Sequence, residues 1–155
     1  MHSLLAPLEQ LNMSGERRLL LITGDAEWCN QQALTLWQES TLWLGDGPDA
    51  CSPQPLKQAQ HQLGREFNRV VFNGYSGLHP DMLGACAGLV QAGGLLILLM
   101  PPLPSWPHFA DPDLARYVAQ AENSGECHAF FLVRLRQRLL ADVNLWHWDQ
   151  ETGLS

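Results

Sequence analysis

Arg18-Leu19-Leu20-Leu21-Ile22-Thr23 is apolar throughout its middle, the pattern of a strand covered on both faces. Gly24 breaks the run, and Asp25 stands where a helix N-cap belongs, ahead of a segment carrying Trp28, Leu34 and Trp37 in a polar surround. Two further runs repeat the theme: Val70 to Phe72, ended by Asn73-Gly74, and Leu95 to Met100, ended by Pro101-Pro102. Each follows a stretch of helix length. Strands alternating with helices in this way predict parallel neighbours in one sheet.

Working outward, Ser3 to Leu11 reads as a lead-in helix and Thr41 to Leu44 as a second strand before the turn Gly45-Asp46-Gly47-Pro48. Ser52-Pro53 has the form of an N-cap and first helical position, predicting a helix to Leu63 stopped by Gly64. Pro80-Asp81 predicts another helix to Val90, closed by Gly93-Gly94, and Asp111-Pro112 a short one. Phe130 to Ala141 is amphipathic, with Phe131, Leu132, Leu135 and Leu139 in one stripe, and Asn144 to Trp148 alternates as a last strand. The expected fold is a single α/β domain over residues 1–155: a Rossmann-like, three-layer arrangement with a mostly parallel sheet of about five strands and helices on both faces.

Composition limits what such a domain does. Among its 155 residues, 46% are hydrophobic and 16% charged, enough for a core without staples. The formal net charge is −7, whereas autonomous nucleic-acid binders draw affinity from an excess of basic groups. Cys29, Cys51, Cys86 and Cys127 lie far apart, which favours reduced, buried thiols of a cytoplasmic protein over a zinc or redox site. The N-terminus lacks a basic signal-peptide region, and the longest apolar run is too short to span a bilayer.

Motifs of self-contained enzymes are missing. The sequence has no G-x-x-x-x-G-K-[ST] phosphate loop, no G-x-S-x-G elbow and no H-E-x-x-H. The turn Gly24-Asp25-Ala26-Glu27 offers carboxylates where a pyrophosphate would need glycines and free amides. No catalytic or metal-ligating residue is therefore assigned. Asp25 with Asp81 is too weak a carboxylate pair to specify chemistry. The six histidines lack metal-ligand spacing and read as surface or locally bonded groups.

Weaker candidates remain. Ligands of open α/β sheets bind beyond the carboxyl ends of the strands, where Gly24, Asp25, Asn73, Gly74 and Ser76 should gather in a crevice. Turn and cap duties account for the same residues. Arg134, Arg136 and Arg138 could face RNA, although arginine stems flanking an apolar stripe commonly cover a core edge. Trp146 and Trp148 read as core rather than as a base-stacking platform. Trp106, within Pro101-Pro-Leu-Pro-Ser-Trp-Pro107, is either a docking anchor or part of a stiff connection.

Taken together, Leu63-Gly-Arg-Glu-Phe67, Val70-Val-Phe-Asn-Gly-Tyr-Ser-Gly77, His79-Pro-Asp81 and Ala92-Gly-Gly94 through Met100-Pro101 resemble the N-terminal domain of bacterial tRNA(Met) cytidine acetyltransferases. Gly24 with Trp28-Cys29, and the basic helix before a tryptophan-bearing strand, extend the resemblance over nearly the whole chain. The resemblance implies a longer enzyme that uses ATP, Mg and acetyl-CoA to acetylate N4 of the wobble cytidine in elongator tRNA(Met). This domain would precede a helicase-like ATPase module and an acetyltransferase module, its partners in the same polypeptide. It would hold no cofactor itself, and would buttress the ATPase module and face tRNA only weakly. The competing expectation is a free-standing module that binds a small ligand or protein at the strand-end crevice.

Overall fold

The computed structural model describes residues 4–78, 80–108 and 124–155, without the side chains of His108 and residues 124–130. Among them are helices α1 (Leu5–Ser14), α2 (Ala26–Thr35), α3 (Gln58–His61), α4 (Pro80–Ala87) and α5 (Ser124–Ala141). The strands are β1 (Arg18–Thr23), β2 (Thr41–Leu44), β3 (Phe67–Asn73), β4 (Val90–Met100), β5 (Trp146–Asp149) and β6 (Gly153–Leu154). They form one sheet in the order β2-β3-β4-β1-β5-β6. The sheet is parallel except for the two-residue β6, which runs antiparallel to β5.

The expected pairings hold: Leu19 to Ile22 lie parallel to Leu96 to Leu99, and Val70 to Phe72 lie parallel to Leu96 to Leu98 on the other side. These three strands are buried on both faces, which is why their sequences run apolar without alternation. On one face Leu21, Phe72 and Leu98 meet Met82 and Cys86 of α4 and Leu132 and Leu139 of α5. On the other, Leu20, Ile22, Ile97 and Leu99 meet Leu11 of α1 and Cys29 and Ala33 of α2. The layers are therefore helix, sheet, helix.

Three expected elements differ. Ser52 does not cap a helix: it adopts a left-handed conformation at φ 49° after a 3-10 turn at Asp49–Cys51. Pro53 and Pro55 disfavour helical backbone just before them, and Gln54 instead pairs with β2, donating to Trp43 O at 2.8 Å and accepting from Gly45 N–H at 2.8 Å. Only Gln58–His61 is helical, and Lys57 stands at its start. The helix from Pro80 ends at Ala87 rather than Val90, and Gly93-Gly94 lies inside β4 instead of closing a helix. There β3 and β4 slip register between Phe67 and Arg69. A β-carbon on Gly94 would stand 2.8 Å from Asn68 O, so the glycine serves a strand irregularity.

The proline-rich connection after β4 also departs from an extended anchor. Leu103–His108 coils as a 3-10 segment and buries Trp106 to 1% exposure, with Nε1–H donating to Pro101 O at 2.6 Å. The helix expected at Asp111-Pro112 lies outside the described residues.

Candidate functional site at the carboxyl edge of the sheet

Neighbouring strands β1 and β4 send their chains to opposite faces of the sheet. From β1 the chain enters α2 on one side, and from β4 it travels toward α5 on the other. Such a switch point leaves a crevice at the carboxyl edge of the sheet. Here it is a cleft of about 650 Å³, bordered by Gly24 and Asp25 after β1, Pro102 to Pro104 after β4, and Asp149 at the end of β5 with Gln150 to Thr152 after it.

The turn after β1 is filled by the protein itself. Gly24 N–H donates to Met100 O at 3.2 Å, and Asp25 N–H donates to Gln150 Oε1 at 2.8 Å. The Tyr75 hydroxyl donates to Gly24 O. A β-carbon at Gly24 would come 2.6 Å from Gln150 Oε1 and 2.8 Å from the Trp28 ring. Asp25 occupies the N-cap position of α2, yet its carboxylate makes no capping bond. These groups do not fit a nucleotide or coenzyme pyrophosphate, which would need the amides that Met100 and Gln150 occupy.

Next to the cleft residues His147 and Asp149, the side chain of fully buried Thr23 joins β1 to β5. Its hydroxyl donates to Asp149 Oδ2 at 2.6 Å. His147 Nε2 lies 2.8 Å from Thr23 Oγ1, whose proton goes to Asp149, so Nε2–H is the donor there, which assigns the Nε2–H tautomer. Asp149 Oδ1 accepts from the backbone of Glu151 at 2.9 Å and of Thr152 at 3.0 Å. Burial alone would raise the Asp149 carboxyl, but the bonds from Thr23, Thr152 and Glu151 outweigh it and hold the group below its usual range. Burial lowers the His147 imidazole, with nearby Asp149 partly opposing it. Of these three residues the sequence marked only His147, as one of six surface or locally bonded histidines. It gave no sign of Thr23 or Asp149, because a threonine ending a strand and an aspartate before a turn are both commonplace.

The expected crevice residues divide between two places. Gly24 and Asp25 line this cleft. Asn73 and Ser76 hold the turn after β2: Asn73 Nδ2 donates to Asp46 O at 2.7 Å, and Ser76 Oγ accepts from Asp46 N–H at 2.8 Å. Ser76 borders a second cleft of about 650 Å³ beside Gly45, Asp49, Gln54 and Lys57. Gly74 is pressed against β4, where a β-carbon would meet Met100 Sδ at 2.3 Å and Leu99 O at 2.6 Å.

The three arginines divide as well. Arg134 and Arg138 are exposed, whereas Arg136 is half-buried and borders the switch-point cleft with Asp25, Asp149 and Glu151. Its Nε is buried without a hydrogen-bond partner among the described residues. Trp148 packs edge-on against Trp28, with centroids 6.0 Å apart, and Trp146 carries the Arg18 guanidinium 5.9 Å above its ring. Both tryptophans are half-buried on the α1–α2 face. Cys29, Cys51 and Cys86 are free and buried, and burial pushes the Cys86 thiol up to about 12. No group of three or more potential metal ligands occurs among the described residues, and no described helix is long and apolar enough to cross a membrane.

Residues 1–150 match the family described as tRNA(Met) cytidine acetyltransferase TmcA, N-terminal. The chain belongs to this family. It is 39% identical over 127 residues to the tRNA(Met) cytidine acetyltransferase TmcA of Nitrosococcus halophilus, covering 79% of this chain and 17% of that protein. To the TmcA of Pectobacterium atrosepticum it is 32% identical over 154 residues, covering 97% of this chain and 22% of the relative. The TmcA of Haloarcula marismortui, an acetyltransferase of the same description, is 36% identical over 110 residues. The chain thus spans about a fifth of the length of the first two TmcA relatives.

Proposed function

We propose that this chain is the N-terminal, non-catalytic domain of a longer tRNA(Met) cytidine N4-acetyltransferase acting in the cytoplasm. Its work is to buttress the helicase-like ATPase module of the same polypeptide and to present Arg134 and Arg138 toward tRNA. ATP, Mg and acetyl-CoA belong to the other modules. The observation that carries this reading is the match over residues 1–150 to the N-terminal part of proteins about five times longer. The filled β1–α2 turn supports it, because Gln150 and Met100 hold the amides that a pyrophosphate would use.

Within this reading the acidic cleft turns Arg136 away from RNA, since Asp25, Asp149 and Glu151 around it repel phosphate. A folded neighbour contributes to catalysis by holding an ATPase module in its competent geometry. Two assays test the proposal: phosphate release with ATP and tRNA, and acetyl incorporation from labelled acetyl-CoA. The 155-residue chain should give neither above a boiled control, while the longer gene product gives both. Turnover by the short chain that Asp25→Ala abolishes would place an active site in the switch-point cleft and sink the reading.

One observation favours a second reading. A 650 Å³ cleft at a topological switch point suits a free-standing module that binds a small ligand or protein segment among Gly24, Asp25 and Gln150. A gene that stops at Ser155 would favour it over the first.

A further inference from the structure

The switch-point cleft holds charges of both signs that do not meet. Arg136 of α5 borders it together with Asp25, Asp149 and Glu151. Among the described residues the one ion pair joins Arg18 to Glu16, so Arg136 pairs with none of the carboxylates around its cleft. Its Nε is buried without a hydrogen-bond partner. A guanidinium in that state forgoes bonds that water would supply, a loss that one bidentate carboxylate makes good.

Of the three carboxylates, one is already committed. Asp149 Oδ2 accepts from Thr23, and Oδ1 accepts from the backbone of Glu151 and Thr152. Asp25 makes no capping bond to α2, and the Glu151 carboxylate has no partner among the described residues. His147 borders the same cleft, and burial lowers its imidazole, so it stays neutral at pH 7 and does not repel a cation. Pro102 to Pro104 supply an apolar wall, and the volume of about 650 Å³ is that of a small-molecule pocket.

We propose that this cleft binds a small zwitterion with an apolar body, the chemistry of an α-amino acid such as leucine. Its carboxylate is held by the Arg136 guanidinium, its ammonium by the free carboxylates of Asp25 and Glu151, and its side chain lies against Pro102 to Pro104. A plain anion meets two free carboxylates, and a plain cation leaves the Arg136 charge unmatched beside it. A ligand carrying both charges satisfies both ends. The inference deepens the second reading, in which the cleft is a ligand site, and does not depend on where the gene ends.

Calorimetric titration of the full-length gene product tests it with three probes of one shape. These are L-leucine, 3-methylbutylamine, which lacks the carboxylate, and 4-methylpentanoate, which lacks the ammonium. Leucine should bind at least about tenfold more tightly than either, since each missing charge forfeits a charge-assisted contact. Arg136→Gln should bring leucine down to the level of the amine without weakening the amine, and Asp25→Asn with Glu151→Gln should bring it down to the level of the carboxylate. Arg136→Lys keeps the charge but loses the planar fork, so it should fall between, and it serves if the glutamine variant does not fold. Either half-ligand binding as tightly as leucine would overturn the zwitterion while leaving the cleft a ligand site. Leucine affinity unchanged in every variant would place its site elsewhere in the protein and overturn the assignment. No binding of any probe at about 10 mM would overturn the second reading as well, and the acetylation assays would be untouched by that result.

Discussion

Replacing Thr23 with valine removes one hydroxyl and keeps the shape of a fully buried side chain. In the native fold that hydroxyl donates to Asp149 at 2.6 Å and accepts from His147 at 2.8 Å. A bond to a charged group is worth roughly 1.5–3 kcal/mol and a neutral one roughly 0.5–1.5 kcal/mol. Asp149 and His147 are only half-buried, and water admitted from the cleft offsets part of the loss. The expected cost is therefore about 2 kcal/mol at pH 7, or roughly 4–8 °C in Tm for a chain of this length.

The pH dependence sharpens this expectation. Both partners have folded pKa values below their ordinary ones, 3.8 for Asp149 and 6.5 for His147. Groups lowered by folding stabilise above their unfolded pKa and lose that contribution as pH falls. The Asp149 part should fade below about pH 4, and Thr23→Val should then approach wild type. Urea unfolding of both proteins at pH 7, 5 and 3 measures it, with Thr23→Ser, which keeps the hydroxyl, falling between them at pH 7. A valine variant as stable as wild type at pH 7, or a gap unchanged at pH 3, would refute the reasoning.

Trp106→Ala should destabilise the domain by about 3–5 kcal/mol in the same assay, because the ring is buried and its N–H is bonded to Pro101; a cost below about 1 kcal/mol would return Trp106 to the surface. In the full-length enzyme, Arg134→Gln with Arg138→Gln should weaken tRNA binding and flatten its salt dependence, measured by filter binding across a salt series. Arg136→Gln alone should leave both unchanged, since Arg136 faces the acidic cleft.

The sequence made the sheet legible where burial on both faces left an unbroken apolar run, as in Leu19 to Ile22 and Leu95 to Met100. It misled where local chemistry answers to a distant partner. Ser52-Pro53 has the form of a helix start, yet Gln54 is claimed by the open edge of β2. Gly93-Gly94 has the form of a helix stop, yet Gly93 N–H is bonded to Glu16 O at 2.9 Å and Gly94 sits against β3. For the cleft, the strand-end rule identified Gly24 and Asp25, but two of its other borders come from Asp149 and Gln150, 124 or more positions away. No local pattern carries the Thr23–His147–Asp149 link, because it exists only once β5 pairs with β1. The sequence showed Arg134 and Arg138 on one flank of the apolar stripe of α5 and Arg136 on the other, but not that Arg136 borders a cleft with Asp149 and Glu151, which come from β5 and the turn after it.

The Tyr75 hydroxyl reaches from the loop after β3 to Gly24 O in the loop after β1, passing over the end of β4. Beneath it, Gly74 lies so close to Leu99 and Met100 that not even a methyl group fits. The three central strands are thus laced together at their carboxyl ends by something other than sheet pairing. Parallel strands yield to load by sliding past one another, and a cross-lace at their ends blocks that slide without stiffening the outer strands. Strain arriving through β5 and β6 would therefore be absorbed at the β1–β5 seam, where Thr23 is the side-chain fastening, before it reached the core.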